Sequence, residues 1–235
     1  MTLEGVVFDF DGVIANSEPL HLRVFQILLS EEGLPFAARE YYERYLGLDD
    51  VAIFQALARE RGLDIGGGRL QALIDRKTEA FVRLVHDRDV LFPGAAGCVR
   101  AVAAAVPVAI ASGALLHEIT GILDRADLLA LVPVIVAAGD TARAKPAPDP
   151  FLRAVDLLSE RSGRRLAPSR VVALEDSPPG LQAARQAGLR TLGLATSYPA
   201  AALHDADHVL PDISQVTVTL LDSLARGALA GGSRR

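Results

Sequence analysis

The sequence predicts an α/β fold: a doubly wound, Rossmann-like parallel sheet core with an inserted all-helical domain. Three observations predict it. Short apolar runs recur at Gly5–Phe8, Val106–Ala111, Val132–Val136, Val171–Leu174 and Thr191–Leu194 without strict alternation, as expected for strands covered on both faces. Helical stretches separate most of these runs, the pattern of a parallel sheet. Between about Glu18 and Arg88 no strand pattern is present and only helical periodicity remains.

Gly5–Phe8 opens the sheet. In the insert, Leu20, Val24, Ile27 and Leu28 share one helical face, as do Val51, Phe54, Leu57 and Ala58, and again Leu70, Leu73, Ile74, Phe81, Leu84 and Val85. Gly33-Leu34-Pro35 and Gly62–Gly68 separate these helices, and Phe92-Pro93-Gly94 returns the chain to the sheet. The expected division is a core of residues 1–15 and 92–235 and a helical domain of residues 16–91. Farther on, Ala147–Glu160 reads as a helix with Asp149 as N-cap and Pro150 at its first position. Ser177-Pro178 starts another, which Gly188 ends. Gly66-Gly67-Gly68 follows no strand and lacks the lysine and hydroxyl of a phosphate loop, so it reads as a plain loop.

The 235 residues are half apolar and carry a formal charge of −5. That balance disfavours a nucleic-acid partner, which calls for a basic stripe. No apolar stretch reaches the roughly 18 residues of a membrane span, and Asp9 and Asp11 interrupt the first apolar run, against a signal peptide. A single cysteine, Cys98, makes no internal disulfide and reads as a small buried apolar residue. The expectation is a cytoplasmic protein, monomeric or weakly dimeric, with a small-molecule partner.

Chemistry collects where the strands end. The first run ends in Asp9 with Asp11 two residues on, the second in Ser112-Gly113, and Val171–Leu174 in Glu175-Asp176, while the loop after Val132–Val136 leads to Lys145. In a doubly wound sheet the carboxyl ends of the strands line the ligand crevice, so these side chains converge. Several carboxylates together need a cation or protons to offset them. Mg²⁺ suits, because it takes oxygen ligands alongside waters and a phosphate. Ser112, the backbone N–H groups after it and Lys145 would hold a phosphoryl group. Taken singly each is an ordinary turn residue; the joint pattern points to phosphoryl transfer.

With these residues placed, Asp9-Phe10-Asp11-Gly12-Val13-Ile14, Ser112, Lys145-Pro146-Ala147-Pro148-Asp149 and Glu175-Asp176-Ser177 resemble, in order, the four motifs of the haloacid dehalogenase-like superfamily. The insert resembles its C1 helical cap, and Ser17-Glu18-Pro19-Leu20-His21 resembles the β-phosphoglucomutase-like phosphatases. The resemblance implies that Asp9 attacks phosphorus to give an aspartyl-phosphate and that Asp11 is the general acid and base. It implies that Mg²⁺ is held by Asp9, the carbonyl of Asp11 and Asp176, with Glu175 as a further or outer ligand. It further implies that Ser112, with Gly113, and Lys145 bind the phosphoryl group, and that the cap moves on hinges near Ala15–Ser17 and Asp89–Phe92. Asp11 disfavours carbon–halogen chemistry, which has no leaving oxygen to protonate.

Two activities share this core: hydrolysis of a small phosphomonoester such as a sugar phosphate, and a β-phosphoglucomutase-type isomerisation. The mutases carry Gly-x-Ser-Arg in the cap, where this sequence has Gly47-Leu48-Asp49-Asp50. Two acids there would repel a second phosphate, which favours the phosphatase, although Arg44 or Lys77 would restore a cation. Specificity is expected in the cap around Tyr45–Val51, including Gly47. His21 sits where the family often places a cap histidine near the general acid; a solvated helix face is its alternative. A non-catalytic binding module that kept the fold is a third reading, against which the joint presence of Asp9, Asp11, Lys145 and Asp176 argues.

Overall fold

The computed structural model describes residues 1–46, 48–85 and 90–228. Elements follow in the order β1 (Gly5–Phe8), α1 (Glu18–Glu31), α2 (Ala38–Arg44), α3 (Asp50–Arg61), α4 (Arg69–Val85), α5 (Ala95–Ala103), β2 (Val108–Ala111), α6 (Leu116–Arg125), β3 (Val134–Val136), α7 (Asp149–Ser162), β4 (Val171–Glu175), α8 (Pro178–Gln186), β5 (Arg190–Leu194), β6 (His208–Leu210) and α9 (Val218–Ala225). The chain divides into two compact units, Met1–Asn16 with Leu91–Arg235, and Ser17–Val90. No helix of the described residues is long and apolar enough to cross a membrane.

The first unit is a six-stranded parallel sheet in the order β3-β2-β1-β4-β5-β6. The three central strands β1, β2 and β4 are buried along their whole length, which is why they read as unbroken apolar runs. On one face, Phe151, Ala154, Val155 and Leu158 of α7 and Ala183 and Ala184 of α8 pack with Val7, Ala109, Val134 and Ala173 of the sheet.

Strand ends differ from the sequence expectation for local reasons. Val106 still closes the turn after α5, its N–H bonding the Val102 carbonyl at 2.9 Å, so β2 starts at Val108. Leu129–Leu131 forms a short 3₁₀ turn ahead of Pro133, which trims β3 to three residues. β6 was not expected: three half-buried residues at a sheet edge are too short for a pattern. Asp149 is not the N-cap of α7. It occupies the first helical position, and its carboxylate accepts from Arg143 Nε at 3.1 Å and Nη2 at 2.9 Å. Ser177 does cap α8, accepting from Gly180 N–H at 3.2 Å.

The second unit is helical among its described residues. Its core gathers Leu22, Phe25, Leu29, Phe36, Tyr41, Tyr45, Ile53, Phe54, Leu57 and Leu73. Phe25 and Phe54 lie 5.3 Å apart between ring centroids. Two expected core positions, Ile27 and Val51, are exposed, while Phe25 and Ile53 take their place. The buried stripe of α4 runs Leu73, Lys77, Phe81, Val85, one residue every four. Lys77 is 1% exposed; its ammonium pairs with Asp50 at 2.9 Å and lies 4.9 Å above the Phe81 ring. Tyr41 donates to Glu18 at 2.5 Å.

Candidate active site

The order in which strands are added switches sides at β1, which pairs with β2 on one side and β4 on the other. Such a switch point opens a crevice beyond the carboxyl ends of the strands. Asp9 follows β1 there and donates its N–H to the Leu174 carbonyl at 2.9 Å. Phe8 pairs with Leu174, so the next residues, Asp9 and Glu175, stand side by side.

Lys145 ties them together. Its Nζ lies 2.5 Å from Asp9 Oδ1 and 2.6 Å from Glu175 Oε1. The other Glu175 oxygen accepts from the N–H groups of Asp176 and Ser177, both at 3.0 Å, and from Ser177 Oγ at 2.9 Å. Glu175 is thus folded over the start of α8, where Gly180 makes room: a Cβ on Gly180 would lie 1.8 Å from Oε1. Gly12 plays the same part toward Asp176. Its φ is +81°, and a Cβ there would lie 1.9 Å from Asp176 Oδ2.

One ligand oxygen from each of Asp9, Glu175 and Asp176 lies within 4.8 Å of the others, and all three residues are buried. Burial pushes the Asp9 carboxyl up to about 7, with Glu175 adding to the rise and Lys145 opposing it. Burial, then Glu175 and Asp9, also holds the Asp176 carboxyl well above its ordinary value. Burial works against the Lys145 charge, but Asp9 and Glu175 outweigh it and keep the ammonium above its usual range. One ammonium facing three carboxylates leaves two negative charges when all are ionised. Oxygen-only donors with that surplus fit a hard divalent cation.

Ser112 follows β2, with its N–H on the Val136 carbonyl at 2.9 Å and its Oγ accepting from Ala114 N–H at 3.0 Å. Since Phe8 pairs with Ile110, Ser112 stands at the same end of the sheet as Asp9. Gly113 beside it is exposed. Asp11, half-buried, forms a backbone bridge with Ala15, and its carboxylate is not part of the three-acid group. His21 lies in the helical unit, buried rather than on a solvated face. Its ring stacks on Phe81 at 4.1 Å, and burial followed by the Lys77 charge keeps it neutral. Gly47, Asp89 and His86 lie outside the described residues.

Four residues had no assigned part in the sequence reading: Gly180, the spacing role of Gly12, and the hydroxyls of Thr196 and Ser197. Thr196 donates to the Gly12 carbonyl at 2.5 Å, and Ser197 Oγ stands beside the Asp176 carboxylate. Both follow β5, so the strand-end rule that flagged Ser112 also flags them.

Known proteins share this arrangement of chain. The haloacid dehalogenase-like hydrolase family matches residues 3–188. Protein CbbY of Rhodobacter capsulatus is 30% identical over 95% of this chain and 100% of its own. Fructose-1-phosphate phosphatase YqaB of Escherichia coli is 30% identical over 79% of this chain and 93% of its own. A crystal structure of a CbbY variant from Rhodobacter sphaeroides in complex with xylulose-(1,5)bisphosphate superposes with a TM-score of 0.83 at 28% identity, covering 94% of this chain and 99% of that one. With the matched segment spanning the strands that present Asp9, Lys145, Glu175 and Asp176, this chain belongs to the haloacid dehalogenase-like hydrolase family.

Proposed function

We propose that the protein is a Mg²⁺-dependent phosphatase that hydrolyses a small phosphomonoester, a sugar phosphate or similar metabolite, through an aspartyl-phosphate on Asp9. The observation that carries this reading is Lys145 bridging Asp9 and Glu175 with Asp176 alongside. A buried ammonium and three buried carboxylates at a sheet switch point suit a reaction that is mostly positioning and charge neutralisation. The names of CbbY's ligand and of YqaB point to phosphorylated sugars.

In this reading Asp9 and Asp176, with the Asp11 carbonyl, hold Mg²⁺, which when bound neutralises charge on the phosphoryl oxygens and on Asp9. Glu175 acts from outside: its two oxygens are taken up by Lys145 and by the start of α8. An Asp9 carboxylate oxygen attacks phosphorus in line with the leaving oxygen. Asp11 protonates that oxygen, then takes a proton from the water that hydrolyses the phosphoaspartate. Ser112 Oγ and Lys145 Nζ bind the equatorial oxygens. In this reading the helical unit is a C1-type cap, and its Gly47 and His21 are assigned to substrate recognition.

Purified protein with Mg²⁺ is expected to release phosphate from an aryl phosphate and from members of a sugar-phosphate panel. Asp9→Asn is expected to abolish this. A silent panel, or activity unaffected in Asp9→Asn, overturns the proposal.

One observation keeps the mutase as a second reading. The two acids expected to repel a second phosphate have structural partners: Asp49 caps α3 by accepting from Ala52 N–H at 2.7 Å, and Asp50 pairs with Lys77. Conversion of β-glucose 1-phosphate to glucose 6-phosphate under a bisphosphate activator decides for the mutase; inorganic phosphate as sole product decides for the phosphatase.

A further inference from the structure

The loop after β5 reaches the acidic centre from the far side of β4. It is held by β6: Leu194 pairs with Leu210, and Ala195 N–H bonds the Leu210 carbonyl at 2.9 Å. The next two residues both spend their hydroxyls on the centre. Thr196 Oγ1 lies 2.5 Å from the Gly12 carbonyl oxygen, and so ties down the turn that follows Asp11. Ser197 Oγ stands beside the Asp176 carboxylate and favours its charged form against burial. A Cβ on Gly12 would lie 2.7 Å from Ser197 Oγ as well as 1.9 Å from Asp176 Oδ2. Position 12 therefore has no room for a side chain beside Asp176 and Ser197.

We propose that Ser197 and Thr196 are positioning residues of the metal centre, Ser197 aiming the Asp176 carboxylate and Thr196 setting the Asp11–Gly12 backbone. The proposal rests on the reading that Asp176 and the Asp11 carbonyl hold Mg²⁺. Carboxylates that ligate metals are themselves oriented by hydrogen bonds, and loss of such a partner costs about 10–100-fold in metal affinity. A hydroxyl that only stabilised the loop would lower the melting temperature equally with and without metal. One that aims a ligand changes the Mg²⁺ concentration needed.

The test is the melting temperature of the full chain titrated with MgCl₂, without substrate. Ser197→Ala and Thr196→Val are expected to need about 10–100-fold more Mg²⁺ for the half-maximal shift. Ser197→Thr and Thr196→Ser, which keep the hydroxyl, are expected to titrate like the parent. In turnover, kcat at saturating Mg²⁺ should stay within a few-fold of the parent in all four. Ser197→Gly makes the same comparison if Ser197→Ala is too unstable to titrate. A parent that responds to Mg²⁺, with Ser197→Ala and Thr196→Val titrating identically to it, overturns this proposal alone. A parent that does not respond to Mg²⁺ overturns it together with the metal reading.

Discussion

Gly180→Ala should be harmful for a reason that helix chemistry alone reverses. Gly180 is the third residue of α8. Replacing glycine by alanine inside a helix ordinarily stabilises by about 0.5–1 kcal/mol. Here the new methyl would lie 1.8 Å from Glu175 Oε1 and 1.9 Å from its Cδ, so the carboxylate must leave. Leaving breaks its contacts with Lys145, Asp176, Ser177 N–H and Ser177 Oγ. Breaking a buried ion pair costs about 3–5 kcal/mol. Less the helix gain, the net loss is about 2–4 kcal/mol, or a fall in melting temperature of roughly 5–15 °C at 2–4 °C per kcal/mol for a chain of this size. Thermal melting followed by circular dichroism reads it directly. The same change in a Glu175→Ala background meets no carboxylate and should be neutral or slightly stabilising, so the two substitutions couple strongly. A Gly180→Ala protein as stable as the parent, or equal costs in both backgrounds, refutes the reasoning.

Two further outcomes follow from groups away from that contact. The Arg226 side chain, then the Leu3 and Thr2 N–H groups at 2.9 and 2.6 Å, hold the Asp222 carboxyl down at about 2. A depressed pKa gives stability that is present above the unfolded value of about 3.9 and is lost as pH falls through the folded one. Asp222→Asn should therefore unfold more readily than the parent at pH 7, with the difference closing between about pH 4 and pH 2 in acid-unfolding curves. In the helical unit, Lys77→Ala strands Asp50 and should cost about 3–5 kcal/mol in urea unfolding, whereas Lys77→Met with Asp50→Asn should recover most of that loss.

Legibility differed by the range of the interaction. Strands buried on both faces announce themselves as apolar runs, so five of the strands and the convergence of Asp9, Lys145, Glu175 and Asp176 could be read from residue order. Asp149 fits the local capping rule, but α7 already starts at Asp149, whose carboxylate pairs with Arg143 six residues earlier. Lys77 was hidden because periodicity counts lysine as polar, although it sits in the buried stripe of α4. The need for glycine at position 180 depends on where Glu175 turns, and no spacing encodes that direction. Cys98 was simple by contrast: it is buried, and burial pushes its thiol up to about 12.

Lys145 touches two carboxylates, and the two differ in kind. In the proposed reaction Asp9 is an anion in one half of each turnover and an acyl phosphate in the other, so its hold on a neighbouring cation rises and falls. Glu175 takes no part in the chemistry and is moored to the backbone of Asp176 and Ser177. The lysine is therefore berthed against a fixed quay as well as a moving vessel. Its ammonium stays in place while the charge beside it is spent, and is still there when the free carboxylate returns.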